Sequence, residues 1–387
     1  MSKKYLRHIM DRLKILKIIF LLFALFQAFI TFSNSILITC ITESNKNQAF
    51  QNDTAKITML LEECINKINN NKLDSVFVLA EKAYQLSIEQ GFAYGIAQSR
   101  FVLAEAFQLT NDYPKALSHY LHSLSQFEKN KNQRAIANIN YQIGTLYNTW
   151  EIFEKAIEYF QISAEVYQQI NDIPSQIKSF QSAGYASRKL RKSNNAFFYY
   201  YKVLDYARKQ NNQELEIKTL KIISDINKNS GQYKEALKYQ FEILDKYKKN
   251  KNKKEEVATL NNIGFLYKFL NEYEKSIEHF KQALQLIEDN ELRASILMNI
   301  GVIYHNTGNF RKSTRIIHEV LKIRQALSDK QEIARTYNLL ATSQFSLKEY
   351  DQALENGFLA VQTAESIKDK KNSSTILFNS FQNLSIK

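Results

Sequence analysis

Glycine, proline and cysteine are scarce in this chain. Of 387 residues only 9 are glycine and 2 are proline. Because these two residues supply most turn chemistry, their scarcity argues against an all-β fold or a loop-rich enzyme and favours long helices joined by short polar turns. The two cysteines, Cys40 and Cys64, are too few for a disulfide framework or a zinc cluster. The cysteines therefore do not show whether the protein works in an oxidising or a reducing compartment.

Aromatic residues and positive charge are plentiful. The chain has 22 Tyr and 25 Phe, and hydrophobic residues make up 44% of it, which argues against general disorder. The net charge is +13, and part of it is local, since six basic residues and one acidic residue precede residue 18. The remaining surplus can steer acidic partners or nucleic acid to the protein. A soluble, lysine-rich surface is the simpler explanation.

The N-terminal residues predict a membrane anchor or a secretory signal. Residues 15–39 carry no charge after Lys17, and about twenty apolar residues in a helix span the ~30 Å hydrocarbon core of a bilayer. The basic residues 1–14 are expected to stay in the cytoplasm. Everything after residue 40 is then expected on the non-cytoplasmic side, which is the periplasm in a Gram-negative cell, with residues 40–56 as a linker.

Three fates of this segment remain open. It can stay as an uncleaved anchor. It can be cleaved after the small residues "SNS" at 33–35, which would leave a secreted or periplasmic protein. It can also be processed at "LITC", which resembles a lipoprotein box ending in Cys40, although Thr39 departs from the small residue expected there.

Small residues recur at a fixed spacing along the rest of the chain. The steps are 40 residues except for one of 37, in the series Cys64, Ala104, Gly144, Gly184, Ser224, Gly264, Gly301 and Ala341. A second small series lies twelve positions later: Val76, Ala116, Ala156, Ala196, Ala236, Ser276, Ser313 and Ala353. Between them runs a mostly aromatic series: Leu73, Tyr113, Phe153, Ser193, Tyr233, Tyr273, Phe310 and Tyr350. Three columns in register over eight copies indicate an internal repeat.

Each copy predicts two amphipathic helices. In the third copy apolar residues recur at helical spacing around Ile143 and Tyr147, and again around Ala156 and Phe160, with a turn near Trp150 between them. Glycine in a helix interior costs roughly 1 kcal/mol relative to alanine. Its recurrence at one phase therefore indicates helices whose backbones pack closely.

These columns resemble the tetratricopeptide repeat, whose signature combines a small residue, a tyrosine, an aromatic residue, an alanine and a second aromatic residue. Three copies match it in order: Gly264, Tyr267, Tyr273, Ser276 and Phe280; Gly144, Tyr147, Phe153, Ala156 and Phe160; and Gly301, Tyr304, Phe310 and Ser313, with Ile317 in the last place. Gly184 and Ala353 occupy matching structural positions. The resemblance covers residues 57–372 and implies an all-α, right-handed superhelical solenoid of about eight antiparallel helix pairs.

The chain departs from the family pattern in three ways. Its period is 40 residues where about 34 is usual, so the helices should be longer, as in the long-repeat subfamily. Ser187 and Asn227 replace the tyrosine in two copies, so the groove there should bend or present different chemistry. The shorter step has lost three residues around "EDNELRA", which we place in a turn between repeats. Residues 373–387 predict a helix that caps the last repeat.

Solenoids bind partners on extended concave surfaces, which the first helix of each pair is expected to line. The side chains predicted to face this groove are Lys178, Arg188, Lys189, Lys218, Lys221, Lys228, Asn262, Lys268, Asn299, His305 and Arg335, clearly opposed only by Glu105 and Asp225. Asn262 and Asn299 can pair with the backbone of an extended peptide, a use that the resemblance also implies. The lysines can bind acidic side chains or a terminal carboxylate. A merely solvated basic wall is the alternative.

Signals for catalysis, metals and nucleic acid are weak. His119 and His122 have a spacing that can hold a metal, but no carboxylate or cysteine cluster joins them. The glycines form neither a phosphate-binding loop nor a nucleophile turn. The lysine-rich run at 246–256 has few aromatic residues for base stacking. We therefore expect no enzyme activity, no cofactor and no nucleic-acid partner.

The resulting functional hypothesis is a protein- or peptide-binding scaffold, membrane-tethered or exported, for which an acidic partner is one alternative. Its oligomeric state is left open. A signal-like segment followed by long repeats is also similar to the sensory part of bacterial repeat-containing histidine kinases and transcription regulators. A sensory or regulatory module of signal transduction is therefore the alternative.

Overall fold

The structure, a computed structural model, describes residues 48–70 and 72–367. Within these residues the chain forms sixteen helices and no strand, which confirms the predicted all-α class. The helices are α1 (Gln48–Asn69), α2 (Leu73–Glu89), α3 (Ala93–Leu109), α4 (Tyr113–Lys129), α5 (Gln133–Thr149), α6 (Phe153–Gln169), α7 (Ile173–Lys189), α8 (Ser193–Lys209), α9 (Gln213–Asn229), α10 (Tyr233–Lys249), α11 (Lys253–Phe269), α12 (Tyr273–Leu286), α13 (Asn290–Asn306), α14 (Phe310–Leu327), α15 (Lys330–Ser346) and α16 (Tyr350–Glu365).

Both predicted terminal segments lie outside the described residues. They are the basic and apolar residues 1–39 with Cys40, and the predicted cap at 373–387. Of the predicted linker, only the part from residue 48 is described. Among the helices that are described, none combines the length and apolarity needed to cross a bilayer.

Two compact units divide the chain: unit 1 is Met1–Gln176 and unit 2 is Ile177–Lys387. In both units the helices pack as consecutive pairs, such as α3 with α4 in unit 1 and α11 with α12 in unit 2. We call the first, odd-numbered helix of each pair an A helix and the second, even-numbered helix a B helix. Each B helix begins at a residue of the predicted aromatic column, from Leu73 to Tyr350. This arrangement confirms the predicted helix pairs.

The long period comes from regular 17-residue helices joined by three-residue turns. The middle turn residue has a left-handed backbone, as at Asn111 with φ 61°. Its N–H donates to Gln108 O at 3.1 Å, and the next N–H, of Asp112, donates to Phe107 O at 2.9 Å. This pair of bonds closes the helix end in a Schellman motif. Such left-handed residues recur at 20-residue steps from Gly91 to Asn271, and most are Asn or Lys, so the fold needs few glycines.

The three-residue loss lies in a helix and not in a turn, contrary to the expectation from the sequence. Helix α12 has 14 residues, and Ile287 after it is extended, with ψ 135°. Asp289 then caps α13 by accepting a bond from Leu292 N at 2.7 Å. The shortened helix leaves a pocket of about 580 Å³, lined by Lys253, Lys254, Val257, Leu286, Ile287, Glu288, Asp289, Glu291, Leu292 and Ser295.

The repeat glycines make room for one side chain of the paired B helix. A methyl group at Gly264 would lie 2.5 Å from Phe280 Cε1, and Phe280 is completely buried. The same close approach, nearer than 3 Å, occurs between Gly144 and Phe160, Gly184 and Tyr200, and Gly301 and Ile317. Where the residue sixteen positions on is small, as Ala80 is, the small site is the larger Cys64. In these copies the size of the residue at the small site therefore varies inversely with the size of the B-helix side chain that it contacts.

The second small series, which lies on the B helices, stabilises the same contact between paired A and B helices. Ser276 Oγ donates to Gly264 O at 2.6 Å, and Ser313 Oγ donates to Gly301 O at 2.9 Å. At the equivalent position Ala156 is completely buried and Ala353 is 8% exposed. The column tyrosines lie beside this contact, where Tyr267 stacks on His279 at 5.3 Å and Tyr304 receives Lys312 over its ring.

Candidate functional site

All of the predicted groove residues lie on A helices of unit 2, and none is fully buried. They are Lys178, Arg188 and Lys189 on α7, Lys218, Lys221 and Lys228 on α9, Asn262 and Lys268 on α11, Asn299 and His305 on α13, and Arg335 on α15. They occupy equivalent turns of successive A helices. We call this exposed surface of α7, α9, α11, α13 and α15 within unit 2 the A-helix face.

Three of these cations are already paired with carboxylates. Lys221 Nζ lies 2.6 Å from Glu255, Lys228 Nζ lies 2.8 Å from Asp225, and Arg335 lies 2.5 Å from Glu332. Burial lowers the pKa of Lys221, but its hydrogen bonds to Glu255 and Tyr247 outweigh this effect and raise the pKa overall. Sequence reasoning counted only Asp225 on this face. Its positive charge is therefore smaller than the sequence indicated.

Other cations on the face keep their charge available. Among the described residues, no carboxylate forms an ion pair with Lys218 or Lys268. Burial lowers the pKa of Lys268, because its ammonium group lies in partly desolvated surroundings. The Arg188 guanidinium lies 5.6 Å from the ring centroid of Tyr185, which supports it by a cation–π contact. These three side chains can meet an external anion.

The asparagines of the face hold polar groups that the fold does not use. Asn262 is exposed and Asn299 is half-buried, and neither makes a hydrogen bond within the described residues. Asn261 and Asn338 each bury a side-chain oxygen that lacks a donor in the same part of the chain. An unsatisfied buried acceptor costs about 1–3 kcal/mol, and a ligand does not reach these two oxygens because they have almost no exposed surface. The amides of Asn262 and Asn299 point to a partner rich in backbone polar groups.

His305 makes an internal contact. Its Nδ1 lies 2.9 Å from Ser343 Oγ, and burial lowers the pKa of the imidazole. A serine beside a histidine can form a nucleophile–base pair. Ser343 is completely buried, however, and also contacts Ser313 Oγ at 3.2 Å, so no substrate can reach its oxygen. His305 thus presents a polar ring edge on the A-helix face, and its predicted role in peptide binding stays a prediction.

Sequence reasoning missed the apolar part of the face. Half-buried apolar side chains occupy groove-facing positions of α11, α13 and α15: Phe265, Met298, Val302, Leu339 and Phe345. Of these, Met298 and Phe345 lie at the positions that Lys221 and Lys228 hold on α9. The signal was present in the sequence, because all five have the same spacings from the small site as the residues predicted to face the groove.

The residues that replace the column tyrosine in two copies do not reach this face. Ser187 and Asn227 are both buried. Asn227 Nδ2 donates to Ile223 O at 2.9 Å within its own helix. Any difference in groove chemistry at these two copies therefore comes from other residues of α7 and α9.

His119 and His122 make contacts within unit 1. His119 stacks on Phe107 at 5.2 Å, and its Nδ1 lies 3.3 Å from Arg100. Burial, with a smaller effect of Arg100, lowers the pKa of His119 to about 4. His122 bonds through Nδ1 to Ser118 O at 2.9 Å. Within the described residues no group of three or more potential metal ligands occurs.

Glu105, on α3 of unit 1, lies in apolar surroundings. Burial raises the pKa of its carboxyl to about 7. The folded protein therefore holds a proton there between about pH 4.5 and 7 that the unfolded chain releases. Stability falls as the pH rises through this window and then stays low.

Replacing Glu105 by Gln is expected to remove this pH dependence. At pH 8 the Glu105→Gln variant should be more stable than the parent by roughly 2 kcal/mol, a value reduced from the full shift because the site is not completely dry. At pH 5 the two should be equally stable. Urea unfolding at both pH values tests this, and a stability difference that is the same at pH 5 and pH 8 would contradict it.

Comparisons with known proteins agree with this architecture. Models of the tetratricopeptide repeat family match residues 257–290 and 292–363. Among solved structures, the apo form of RapI is similar at a TM-score of 0.50 and 15% identity, covering 85% of this chain and 97% of that one. No curated protein sequence matches the chain significantly.

A second solved structure is a signal transduction ATPase with numerous domains, with a tetratricopeptide repeat sensor, from Pyrococcus horikoshii. It is similar at a TM-score of 0.50 and 16% identity, covering 88% of this chain. The similarity extends over 54% of that protein, so this chain spans about half its length. At these identities both likenesses show the fold. The family models show tetratricopeptide repeats in residues 257–290 and 292–363, and the described helices before them pair in the same way.

Proposed function

We propose that the protein is a non-enzymatic scaffold that binds an extended segment of another protein on the A-helix face of unit 2. The observation that carries the proposal is the set of unused polar groups there. Lys218 and Lys268 lack carboxylate partners among the described residues, and Asn262 and Asn299 lack hydrogen-bond partners. A merely solvated wall would not need amides at the same helical position on two successive A helices.

The binding mechanism follows from these groups. A side-chain amide offers both a donor and an acceptor, so Asn262 and Asn299 can each pair with one peptide unit of an extended chain. The ammonium groups of Lys218 and Lys268 can pair with carboxylates of the partner. The partly desolvated site of Lys268 strengthens such a pair relative to one in water.

Charge reversal tests this proposal. Changing Lys218 and Lys268 together to Glu should weaken capture of the partner at least tenfold, about 1.4 kcal/mol, because two attractive contacts become repulsive. Lys221 is left unchanged, because a glutamate there would lie beside Glu255 and disturb the fold.

The measurement is crosslinking and pull-down with the full-length protein, followed by mass spectrometry. The matched control reverses Lys238 and Lys281, two exposed lysines on B helices, and should keep capture intact. If the double reversal on the A helices leaves every captured protein in place, the A-helix face is not the binding site.

The alternative function is a sensory or regulatory module in signal transduction. In the Pyrococcus protein a tetratricopeptide repeat serves as the sensor of a signalling ATPase. Binding on the A-helix face would serve either role, since a sensor also has to recognise its ligand. A captured kinase or transcription regulator in the same pull-down would favour this alternative.

We also propose that the repeat units lie on the non-cytoplasmic side of a membrane. The support is the sequence of residues 1–39, where a basic segment precedes an uncharged apolar run. An alkaline phosphatase fusion after residue 367 should be active in a bacterial host. An inactive full-length fusion, or one whose activity does not depend on residues 1–39, would contradict this placement.

A further inference from the structure

We infer that the partner segment bound on the A-helix face is bipartite, with an acidic part on α7 and α9 and a weakly charged, apolar part on α11, α13 and α15. This inference rests on the proposed function and adds the order in which the acidic and the apolar part follow each other along the partner segment. Three observations on the face carry it: the distribution of charge, the distribution of apolar side chains and amides, and the place of the pocket.

The positive charge of the face is concentrated at one end. Helices α7 and α9 carry six of its basic side chains and one acidic side chain: Lys178, Arg188, Lys189, Lys218, Lys221 and Lys228 against Asp225. Helices α11, α13 and α15 together add Lys268 and Arg335, and Glu332 already neutralises the latter. The α7 and α9 end therefore keeps an excess of positive charge after its internal pairs are counted.

The range of electrostatic attraction makes this difference selective. Packed helices lie about 8–10 Å apart, whereas the screening length at physiological ionic strength is about 8 Å. A carboxylate placed two A helices away from Lys218 is then separated from it by more than two screening lengths. Each part of a bound segment consequently responds to the side chains directly beneath it.

The other end of the face suits an uncharged segment. Its half-buried apolar side chains, from Phe265 on α11 to Phe345 on α15, alternate with Asn262, Asn299 and Asn338. The amides can hold a peptide backbone while the apolar groups contact its side chains.

The pocket beside the shortened helix α12 lies at this same end. Its floor is apolar, formed by Val257, Leu286, Ile287 and Leu292, and its volume is about 580 Å³. Ser295, one of its lining residues, belongs to α13, next to Asn299 by one turn. The apolar end thus offers room for a side chain that the regular repeats do not offer.

Selection from a random twelve-residue peptide display library against the full-length protein tests the inference. Twelve extended residues span about 40 Å, enough to cross several A helices. The enriched peptides should carry Asp and Glu in one half and aliphatic or aromatic residues in the other. Arg188→Glu with Lys218→Glu should abolish the acidic preference in its half and leave the apolar preference unchanged.

A complementary variant changes the apolar end. Val302→Ala with Phe345→Ala should weaken binding of the apolar half at least tenfold and leave the acidic preference intact, with thermal unfolding used to verify that both variants are folded. If acidic residues are spread evenly along the selected peptides, or if either variant changes both halves alike, the bipartite order is wrong while peptide binding stands. If no enriched peptide responds to any change on the A-helix face, the proposed function itself fails.

Discussion

Gly264→Ala is expected to lower the free energy of unfolding by about 2 kcal/mol, although alanine is the better helix former by about 1 kcal/mol. The added methyl group would lie 2.5 Å from a ring atom of Phe280, which is completely buried between α11 and α12. Overpacking of a core costs about 1–3 kcal/mol because side chains and backbone have to shift. Ala104 and Tyr120 coexist in the second copy, so the helices can separate to accommodate both, which limits the loss.

Urea unfolding of a matched set of variants tests this expectation. Ala258→Gly, at an exposed position of the same helix, should cost about 1 kcal/mol through helix propensity alone. Combining Gly264→Ala with Phe280→Leu should cost less than the sum of the two single changes, because the smaller side chain relieves the contact. A Gly264→Ala variant that is more stable than the parent would show that the repeat glycine is not a packing device.

Arg324→Ala is expected to cost about 3 kcal/mol. The guanidinium is 3% exposed and donates to Ser295 Oγ on α13 at 2.8 Å. Its Nη1 also lies 3.5 Å from Asp329 Oδ2, and its Nη2 lies 3.7 Å from Glu332 Oε2. Removing one member of a buried ion pair costs about 3–5 kcal/mol, and the long distances to both carboxylates place this case at the low end.

Arg324→Met separates the charge of this arginine from its volume. Methionine fills most of the same space, while Asp329 and Glu332 are partly open to solvent and Glu332 keeps Arg335. The expected loss is therefore only about 1 kcal/mol, since a buried ion pair can be replaced by an apolar side chain with little change in stability. Chemical denaturation of both variants measures the difference. Equal losses for Ala and Met would assign the stability to the charge.

The fold could be predicted from the sequence because a repeat displays each packing rule eight times. One glycine such as Gly264 is ambiguous, but a small column in register with an aromatic column identifies a helix pair. The structure added the reason for each exception. In the first copy Ala80 stands where other copies have an aromatic ring, and the small site opposite it is the larger Cys64. In another copy Gln240 Nε2 donates a hydrogen bond of 3.0 Å to Ser224 Oγ.

The candidate surface was predictable in position but not in electrostatic character. Helical phase placed Lys221 and Arg335 on the exposed face of their A helices. Their partners Glu255 and Glu332 lie just outside the helical positions that the sequence pattern counts, so only the structure shows these ion pairs. The contact of His305 with Ser343 was not predictable for a similar reason, because it joins copies 38 residues apart.

The three-residue loss shows a different limit. A shortened spacing reveals how many residues are missing but not which element lost them. Keeping the phase of Gly301 and Ser313 is compatible with a shorter turn or a shorter helix. In the structure α12 is three residues shorter than the 17-residue helices, the turn after it still has three residues, and Ile287 in that turn is extended.

Photocrosslinking on the A helices tests the central claim most directly. A benzophenone amino acid placed at Asn262, exposed on α11, should crosslink to the captured partner, whereas the same probe at Lys281, exposed on the B helix α12, should not. Both variants keep the buried core unchanged, so the comparison isolates the binding face. Crosslinks from position 281 together with none from position 262 would contradict binding on the A-helix face.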